Sequence, residues 1–248
     1  TLSSADNNTG IGIGALDAIT SGDGNTVIGS GAGTAIAASF SNTLVGKNSG
    51  QGITNSVGGN TFLGNSSGQN IATGVDNVAV GNVANQGTGG QNGSFNTAVG
   101  KGALRFAYGD YNIGLGWSSG DNITSGDGNV IIGGINADSA TGDKQLIIAD
   151  GVDGSVAWVK GDSNGVVTFA DDIIIKDAGT IGSASDVDAI AIGADGDITL
   201  TQDLELQHDG AILSFGANDE VTLTHVHNDG LLLNTDMQLQ FRDSAINI

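Results

Sequence analysis

A five-residue phrase that recurs eight times constrains the fold of this chain more than any other feature. Each copy starts with Asn, continues with Thr, Val or Ile, then a variable residue and an aliphatic residue, and ends with Gly. The copies start at Asn8, Asn25, Asn42, Asn60, Asn77, Asn96, Asn112 and Asn129. Successive copies lie 16 to 19 residues apart, which is typical of a solenoid, where each turn of chain stacks on the previous one.

Two positions of the repeat are consistently apolar. The fourth is aliphatic in every copy: Ile11, Ile28, Val45, Leu63, Val80, Val99, Leu115 and Ile132. The twelfth is Ile in five copies: Ile19, Ile36, Ile53, Ile71 and Ile123. We therefore expect two short extended pieces per turn, each with one side chain pointing inward, because β-branched residues favour strands. A helix is disfavoured because Gly recurs every few residues, at about 1 kcal/mol each in a helix interior.

The invariant residues predict how the turns stack. Gly at the fifth position predicts a sharp bend with positive φ, or close packing of neighbouring turns. The repeated Asn predicts a ladder of side-chain amide hydrogen bonds along the stack. The fold class predicted is all-β, with a β-solenoid or β-roll of eight repeats of about 17 residues over residues 1–139. Eight turns make a rod about 40 Å long.

The core of such a rod is thin, and the chain continues beyond it. Two aliphatic side chains per turn bury little, whereas backbone ordering costs about 1–2 kcal/mol per residue. We therefore expect other chains to supply the missing burial, as an elongated homotrimer. Residues 140–170 are predicted to be a small β connector, and residues 171–248 a series of short strands separated by Asp and Gly turns. These strands fit a sandwich or barrel, or a repetitive β-strand shaft or β-prism, which the lack of aromatic core residues favours.

Composition excludes several classes of function. The net charge is −20, from 27 acidic and 7 basic residues, so neither nucleic acid nor an anionic membrane surface is an expected partner. No apolar run approaches the roughly 20 residues of a membrane span, so no membrane insertion is expected. The 248-residue chain starts at Thr1 without an initiator Met, and we expect it to be a fragment or processed product.

Catalytic motifs are not recognisable, and we predict that the chain is not an enzyme. It has no Cys, and no Ser lies in a nucleophile elbow. Its Gly-rich stretches are not dinucleotide loops, because no helix follows them. Paired carboxylates for glycoside cleavage stay open as an alternative, although Asp in turns is expected for backbone reasons. Weak surface binding of Ca²⁺ by loop Asp residues also stays open.

Two groups of residues are candidate binding sites. The first is a possible glycan contact formed by Arg105, Tyr108, Tyr111 and Trp117, for which the alternative is that the rings cap the core or fill a subunit interface. The second is His225-Val226-His227, which places two imidazoles on one face of a strand. On a threefold axis, three chains would supply six nitrogens, an octahedral set suited to iron or another first-row metal. The alternative is that both His side chains are exposed or stack without a metal.

Three stretches carry a resemblance to known families. Asn25-Thr-Val-Ile-Gly-Ser-Gly-Ala and Asn96-Thr-Ala-Val-Gly-Lys-Gly-Ala-Leu resemble the repeats of tail fibres of tailed bacteriophages. They are also similar to the head repeats of trimeric autotransporter adhesins, which form trimeric left-handed β-rolls. Residues 196–227 resemble tail-fibre and structural proteins of marine phages, including cyanophages. The His225 and His227 pair resembles the axial iron-binding motif of some phage fibre and spike tips.

The resemblance implies a structural component of a viral tail fibre, located in the virion. Such a component acts as a rigid spacer and presentation surface in host-cell adsorption. Its implied partners are copies of itself, other virion tail proteins, and a host-surface glycan or protein. The step of about 17 residues is longer than the adhesin turn, and no coiled-coil stalk or membrane anchor follows. The alternatives are a bacterial trimeric surface adhesin and a polysaccharide-degrading tailspike.

Overall fold

The computed structural model is all-β, and it divides into two compact units, Thr1–Ile173 and Ile174–Ile248. It describes residues 5–54, 58–88, 93–174, 179–183, 185–192, 194–195, 197–201, 203–207, 209–216 and 221–233. Within these ranges there is no helix. The first unit contains an eleven-stranded sheet, and the second contains two three-stranded sheets.

Eight three-residue strands form the repeat array, and each covers the second to fourth positions of one copy. They are β1 (Thr9–Ile11), β2 (Thr26–Ile28), β3 (Thr43–Val45), β4 (Thr61–Leu63), β5 (Val78–Val80), β6 (Thr97–Val99), β7 (Ile113–Leu115) and β8 (Val130–Ile132). Each strand pairs in parallel with the next, in the register of the repeat, so that Thr26 lies opposite Thr43 and Val27 opposite Leu44. The predicted β-solenoid is confirmed.

The sheet continues beyond the last copy of the phrase. Strand β9 (Leu146–Ala149) pairs in parallel with β8, and β10 (Ala157–Gly161) and β11 (Val167–Phe169) extend the sheet in antiparallel fashion. Gln145 occupies the place that Asn holds in the earlier copies. Its backbone N–H and its Nε2 both donate to Asn129 Oδ1, at 2.9 and 3.0 Å. A search for Asn alone ends the array at residue 139 and misses this further rung.

The column of Asn side chains is the ladder that the repeat predicts. From the second copy onward, the backbone N–H of each Asn donates to Oδ1 of the Asn in the preceding copy, at 2.8–3.1 Å. The Nδ2 group of most copies also donates to a backbone carbonyl, as Asn77 does to Gly93 at 2.9 Å. These seven Asn residues are fully buried. Buried amides persist where their hydrogen bonds are made, so the ladder stabilises the stack.

The third position of the repeat, and not the aliphatic fourth, faces the core. The third-position residues Val27, Leu44, Phe62, Ala79, Ala98 and Ile131 are completely buried. The fourth-position residues Ile11 and Leu63 are 58% and 48% exposed. Successive side chains of a strand point to opposite faces, so burial of the third position turns the second and fourth outward. The expectation that the fourth position points inward is wrong. The twelfth position is buried as expected, at Ile36, Ile53, Ile71 and Ile123.

Core volume is shared between the third and ninth positions. Phe62 occupies the space next to Gly68, where any Cβ would collide with the ring. The reverse holds at Gly114, where a Cβ would lie 2.8 Å from Cγ of Leu104, the ninth residue of the preceding copy. A large residue at one position therefore accompanies Gly at the other. Close packing of interiors explains why neither position varies freely.

The fifth-position Gly serves both of the roles predicted for it. Its φ lies between +110° and +144° in all eight copies, a region that other residues rarely adopt. At Gly64, a Cβ would also collide with the carbonyl oxygen of Gly81 in the next turn. Both the bend and the close approach of neighbouring turns therefore require a residue without a Cβ atom.

The second unit consists of two antiparallel sheets. The first contains β12 (Gly179–Ser183), β13 (Asp186–Ile192) and β14 (Ile198–Leu200), and the second contains β15 (Ile212–Phe215), β16 (Val221–Val226) and β17 (Gly230–Leu233). Large apolar side chains are exposed on both, with Ile198 at 68% and Ile212 at 55%. The shaft or β-prism over residues 171–248 stays a prediction, and residues 217–220 and 234–248 of that range lie outside the described residues.

Replacing Asn85 by Leu tests the cost of an unpaired amide in the core. Asn85 is a fully buried ninth-position residue, and among the described residues neither polar atom of its side chain has a hydrogen-bond partner. Leu104 holds the same position in the next copy with a similar backbone, φ +47° against +44°. We expect Asn85→Leu to raise the free energy of unfolding by about 1–3 kcal/mol, because an unpaired amide is replaced by an apolar group of the same branching. Chemical denaturation measures it. The reverse change, Leu104→Asn, should destabilise, and a loss of stability in Asn85→Leu would show that crowding against Ala98, where Leu104 faces Gly114, outweighs removal of the unpaired amide.

Alanine at two glycines separates backbone strain from collision. Gly64 and Gly24 both have positive φ, +143° and +66°, but the nearest atom to a Cβ on Gly24 is 3.9 Å away. We expect Gly24→Ala to cost about 1–2 kcal/mol for left-handed backbone. Gly64→Ala should cost about 3 kcal/mol or more, because collision adds to strain. Thermal unfolding measures both, and equal losses would show that close approach does not matter.

Candidate functional site

The outer face of β1–β8, which we call the sheet face, is formed by the second and fourth positions of the eight copies. The fourth position is aliphatic throughout, whereas the second is Thr in five copies and Val or Ile in three. None of these sixteen residues is charged, although the chain carries a net charge of −20. Three fourth-position side chains are exposed, Ile11 at 58%, Leu63 at 48% and Val99 at 38%, and the other five are half-buried. Single exposed apolar residues are ordinary, but a contiguous apolar row marks an interaction surface.

The sheet face is also periodic and stiff. Its rows are strands in exact parallel register, about 4.8 Å apart, as for any hydrogen-bonded sheet. The buried Asn ladder lies directly beside the strands, since each Asn precedes its strand by one residue. A surface built this way presents the same row at a constant interval.

The four candidate glycan residues do not lie at equivalent places on the turn. Arg105 is at the tenth position of its copy, Tyr108 at the thirteenth, and Trp117 at the sixth, whereas Tyr111 immediately precedes the repeated Asn. All but Arg105 are well exposed, at 39% for Tyr108, 60% for Tyr111 and 55% for Trp117. These positions are spread around a turn of about 17 residues, and the glycan contact formed by all four stays a prediction.

Arg105 ends a second side-chain ladder at the tenth position. Gln69 Nε2 donates to Gln51 Oε1 at 2.9 Å, and Gln86 Nε2 donates to Gln69 Oε1 at 3.0 Å. Arg105 Nε then donates to Gln86 Oε1 at 3.2 Å, and its guanidinium lies 4.9 Å from the centre of the Phe106 ring. Three successive Gln residues at one repeat position were the sequence signal for this ladder, which sequence analysis missed.

Tyr111 packs against a ring of the same column. It stacks on Phe95, with ring centroids 4.8 Å apart and an angle of 7° between the planes. Each ring residue immediately precedes the repeated Asn, and each has φ +60°. Left-handed backbone costs about 1–2 kcal/mol for such residues, and an aromatic pair contributes about 0.5–1.5 kcal/mol beyond its burial. The stack therefore offsets part of the strain of the two residues, and both rings remain partly exposed to solvent.

Trp117 borders an open cavity of about 430 Å³, which we call the Trp117 cavity. Its walls are Trp117, Ser118, Asp121, Gly134, Ile135, Asn136 and Asp153. Burial raises the pKa of Asp121, and the charge of Arg105 opposes this shift. Oδ1 of Asp121 is buried and has no hydrogen-bond partner within the described chain. The cavity thus combines an exposed indole with carboxylate and amide groups.

One wall of the Trp117 cavity is a loop held by Asp150. Its Oδ1 accepts hydrogen bonds from the backbone N–H of Val152 at 2.9 Å, Asp153 at 3.1 Å and Gly154 at 3.3 Å. Its Oδ2 accepts from the Val156 N–H at 2.9 Å. These donors stabilise the charged form and lower the pKa of Asp150 to about 2. Asp153 is thereby held at the rim.

The two candidate metal ligands lie beside a common carboxylate in the second unit. Strand β16 ends at Val226, and Nδ1 of His225 and Nδ1 of His227 lie 3.7 and 3.0 Å from Asp209 Oδ1. In the described part of the chain, no group of three or more His, Cys, Asp or Glu side chains is arranged to hold a metal ion. The iron site on a threefold axis needs three chains, and it stays a prediction.

Comparison with known proteins gives no relative. No known protein family matches the sequence, and no curated protein or solved structure is significantly similar to it. Among the residues that the structure describes, none forms a helix long and apolar enough to cross a membrane. The resemblance to phage fibres therefore rests on the quoted motifs, and any functional argument rests on the geometry of the chain.

The Asp150 loop should be sensitive to acid. The pKa of Asp150 is lowered from 3.8 to about 2 in the folded state, so its contribution to stability is complete above pH 3.8 and is lost as the pH falls toward 2. We expect the backbone amide signals of Val152 and Val156 to shift together over this range in NMR spectra. Asp150→Asn should remove the titration. A midpoint at or above 3.8 would contradict the assignment.

Proposed function

We propose that this chain is a rod segment of a homotrimeric fibre, in which three solenoids pack through their sheet faces. We further propose that it belongs to a viral tail fibre, where it acts as a rigid spacer and presentation surface in adsorption to a host cell. The observation that carries the proposal is the sheet face, whose fourth position is aliphatic in all eight copies and yet points out of the chain. Residues kept apolar at an exposed position indicate burial in an assembly.

The repeat itself favours a second copy as the partner. A surface with a row at each turn is matched row for row only by a partner with the same interval. Another copy of this chain necessarily has the same interval between rows. It also has the same variation in step length, between 16 and 19 residues, at the same places. Copies related by a rotation axis parallel to the stack would keep equivalent rows at the same height.

Charge supports the same arrangement. Copies of a chain with net charge −20 repel one another, and repulsion is weakest where the surface carries no charge. Acidic residues of the repeats, such as Asp23, Asp127 and Asp143, lie exposed in the turns and not in the strands. Association through the sheet face keeps these carboxylates in water and leaves the loops accessible.

Three copies, rather than two, are favoured by the family resemblance. Three sheet faces around one axis would enclose a core that a single thin solenoid lacks, and like any closed assembly they would leave no sheet face free for lateral aggregation. Both families that the repeat phrase resembles build trimers. Stiffness in this arrangement comes from the Asn ladder of each chain and from stacking across chains, and needs no catalysis. The location in a virion and the host-cell contact rest on the sequence resemblance.

Light scattering on the purified chain tests the assembly. We expect three times the chain mass of 24.5 kDa. Ile28→Asp places one carboxylate per chain on the sheet face and should weaken association at least 100-fold, because like charges would be buried together. Ser30→Asp adds the same charge two residues away, at an exposed position outside the sheet face, and should remain trimeric.

A molecular mass other than that of a trimer would contradict part of this proposal. A folded wild-type monomer would show that the sheet face is not an interface between copies. A dimer that Ile28→Asp dissociates would keep the interface and remove the threefold axis. The location has its own test, which is detection of the chain by mass spectrometry in purified virions; its consistent absence there would overturn the tail-fibre assignment.

A further inference from the structure

The Trp117 cavity has features that the stacking of repeats does not explain. The sixth position of the other copies holds Ile, Ser, Lys, Asn or Gly, and Trp117 is its only aromatic residue. Its indole is 55% exposed and forms the apolar wall of the cavity. Large exposed aromatic side chains with polar neighbours are typical of binding surfaces.

Asp121 supplies a second observation that points to a ligand. This carboxylate is half-buried, its Oδ1 is cut off from solvent, and no donor of the described chain reaches that oxygen. Buried acceptors without a donor are rare in folded proteins, and each calls for a specific cause. Because Oδ1 is closed off even from water, a ligand in the open cavity reaches this carboxylate through Oδ2, and a hydroxyl or ammonium group bound there would stabilise the charge that the fold leaves unpaired at Oδ1.

The cavity exists because the last copy is one residue short. In the sixth copy, Leu104 N–H donates to the carbonyl of Ser119, the eighth residue of the next copy. One turn later, Gly120 N–H donates instead to Ile135, the seventh residue of its copy. Asn136 is therefore displaced outward and lies exposed at the cavity, whereas the eighth position elsewhere holds a small residue. Sequence alone shows only that Asn136 breaks the small-residue pattern.

We propose that the Trp117 cavity binds a hexopyranose unit of a glycan. The C–H face of the sugar ring stacks on the indole, and its hydroxyls donate to the carboxylates of Asp121 and Asp153 and accept from the amide of Asn136. A volume of about 430 Å³ falls within the range of small-molecule sites, roughly 300–1,000 Å³. Two carboxylates repel an anionic sugar, so neutral and amino sugars are the expected ligands.

This site gives a chemical class to the glycan contact of the proposed function, but all of its residues belong to one chain. Sugar binding and trimer formation can therefore fail independently. Arg105 does not line the Trp117 cavity and contributes only its positive charge near Asp121. Tyr111 lies outside the cavity, in the stack with Phe95.

Tryptophan fluorescence reports binding directly. The chain contains two Trp residues, Trp117 and Trp158, so Trp158→Phe leaves Trp117 as the single probe. We expect glucose and glucosamine to change the emission in a saturable manner at millimolar concentration, with glucosamine binding more tightly. Glucuronate should bind at least tenfold more weakly than glucose. No saturable change with any of the three sugars overturns the proposal.

A matched pair of variants locates the site. In the Trp158→Phe background, Asp121→Asn should weaken glucosamine binding at least tenfold, because it removes the charge but keeps the size of the side chain. Asp17→Asn makes the same change at the tenth position of the first copy, far along the stack from Trp117, and should leave binding unchanged. Unchanged affinity in Asp121→Asn, with circular dichroism and mass equal to the parent chain, overturns the assignment of Asp121.

Discussion

The buried Asn ladder is the interaction on which the solenoid depends. From Asn25 to Asn129 each Asn side chain is cut off from water, so its Oδ1 depends on donors of the next turn and its Nδ2 on acceptors of the protein itself, such as the preceding Asn or a backbone carbonyl. A turn that slipped by one residue would leave these groups unpaired in a region of low dielectric. This explains why Asn recurs at the head of every copy, while the step between copies varies from 16 to 19 residues. The extra residues are accommodated elsewhere in the turn, where no buried amide fixes the length.

The Asn ladder fixes the direction in which the turns stack. Strand geometry then decides which side chains of each copy point into the core and which point outward. The residue two places after each Asn points into a core so narrow that Phe62 requires Gly68 beside it. The residue three places after each Asn points outward, and it is aliphatic in all eight copies. This outward aliphatic column is the feature on which the proposed assembly rests. The sheet face and the thin core are therefore two results of one alternation.

Chemical variety occurs where the repeat is interrupted. Gln145 replaces Asn at the end of the ladder, Arg105 ends the column of Gln residues, and the missing residue in the last copy moves Asn136 outward. The Trp117 cavity lies at this irregular end of the array. Regular turns give stiffness, and departures from regularity provide the polar groups and the concave shape that a ligand needs.

The sequence by itself determined the period, the all-β class, the Asn ladder, the bend at Gly and the buried twelfth position, because each depends on chemistry repeated at a fixed interval. It did not determine which face of the strands is inside, since a three-residue strand is too short for alternation to outweigh a column of aliphatic residues. It also did not show the cavity beside Trp117, whose walls come from two turns and from the Asp150 loop. Only the tertiary structure decided these points, because the direction of a side chain and its neighbours depend on how one turn packs against the next.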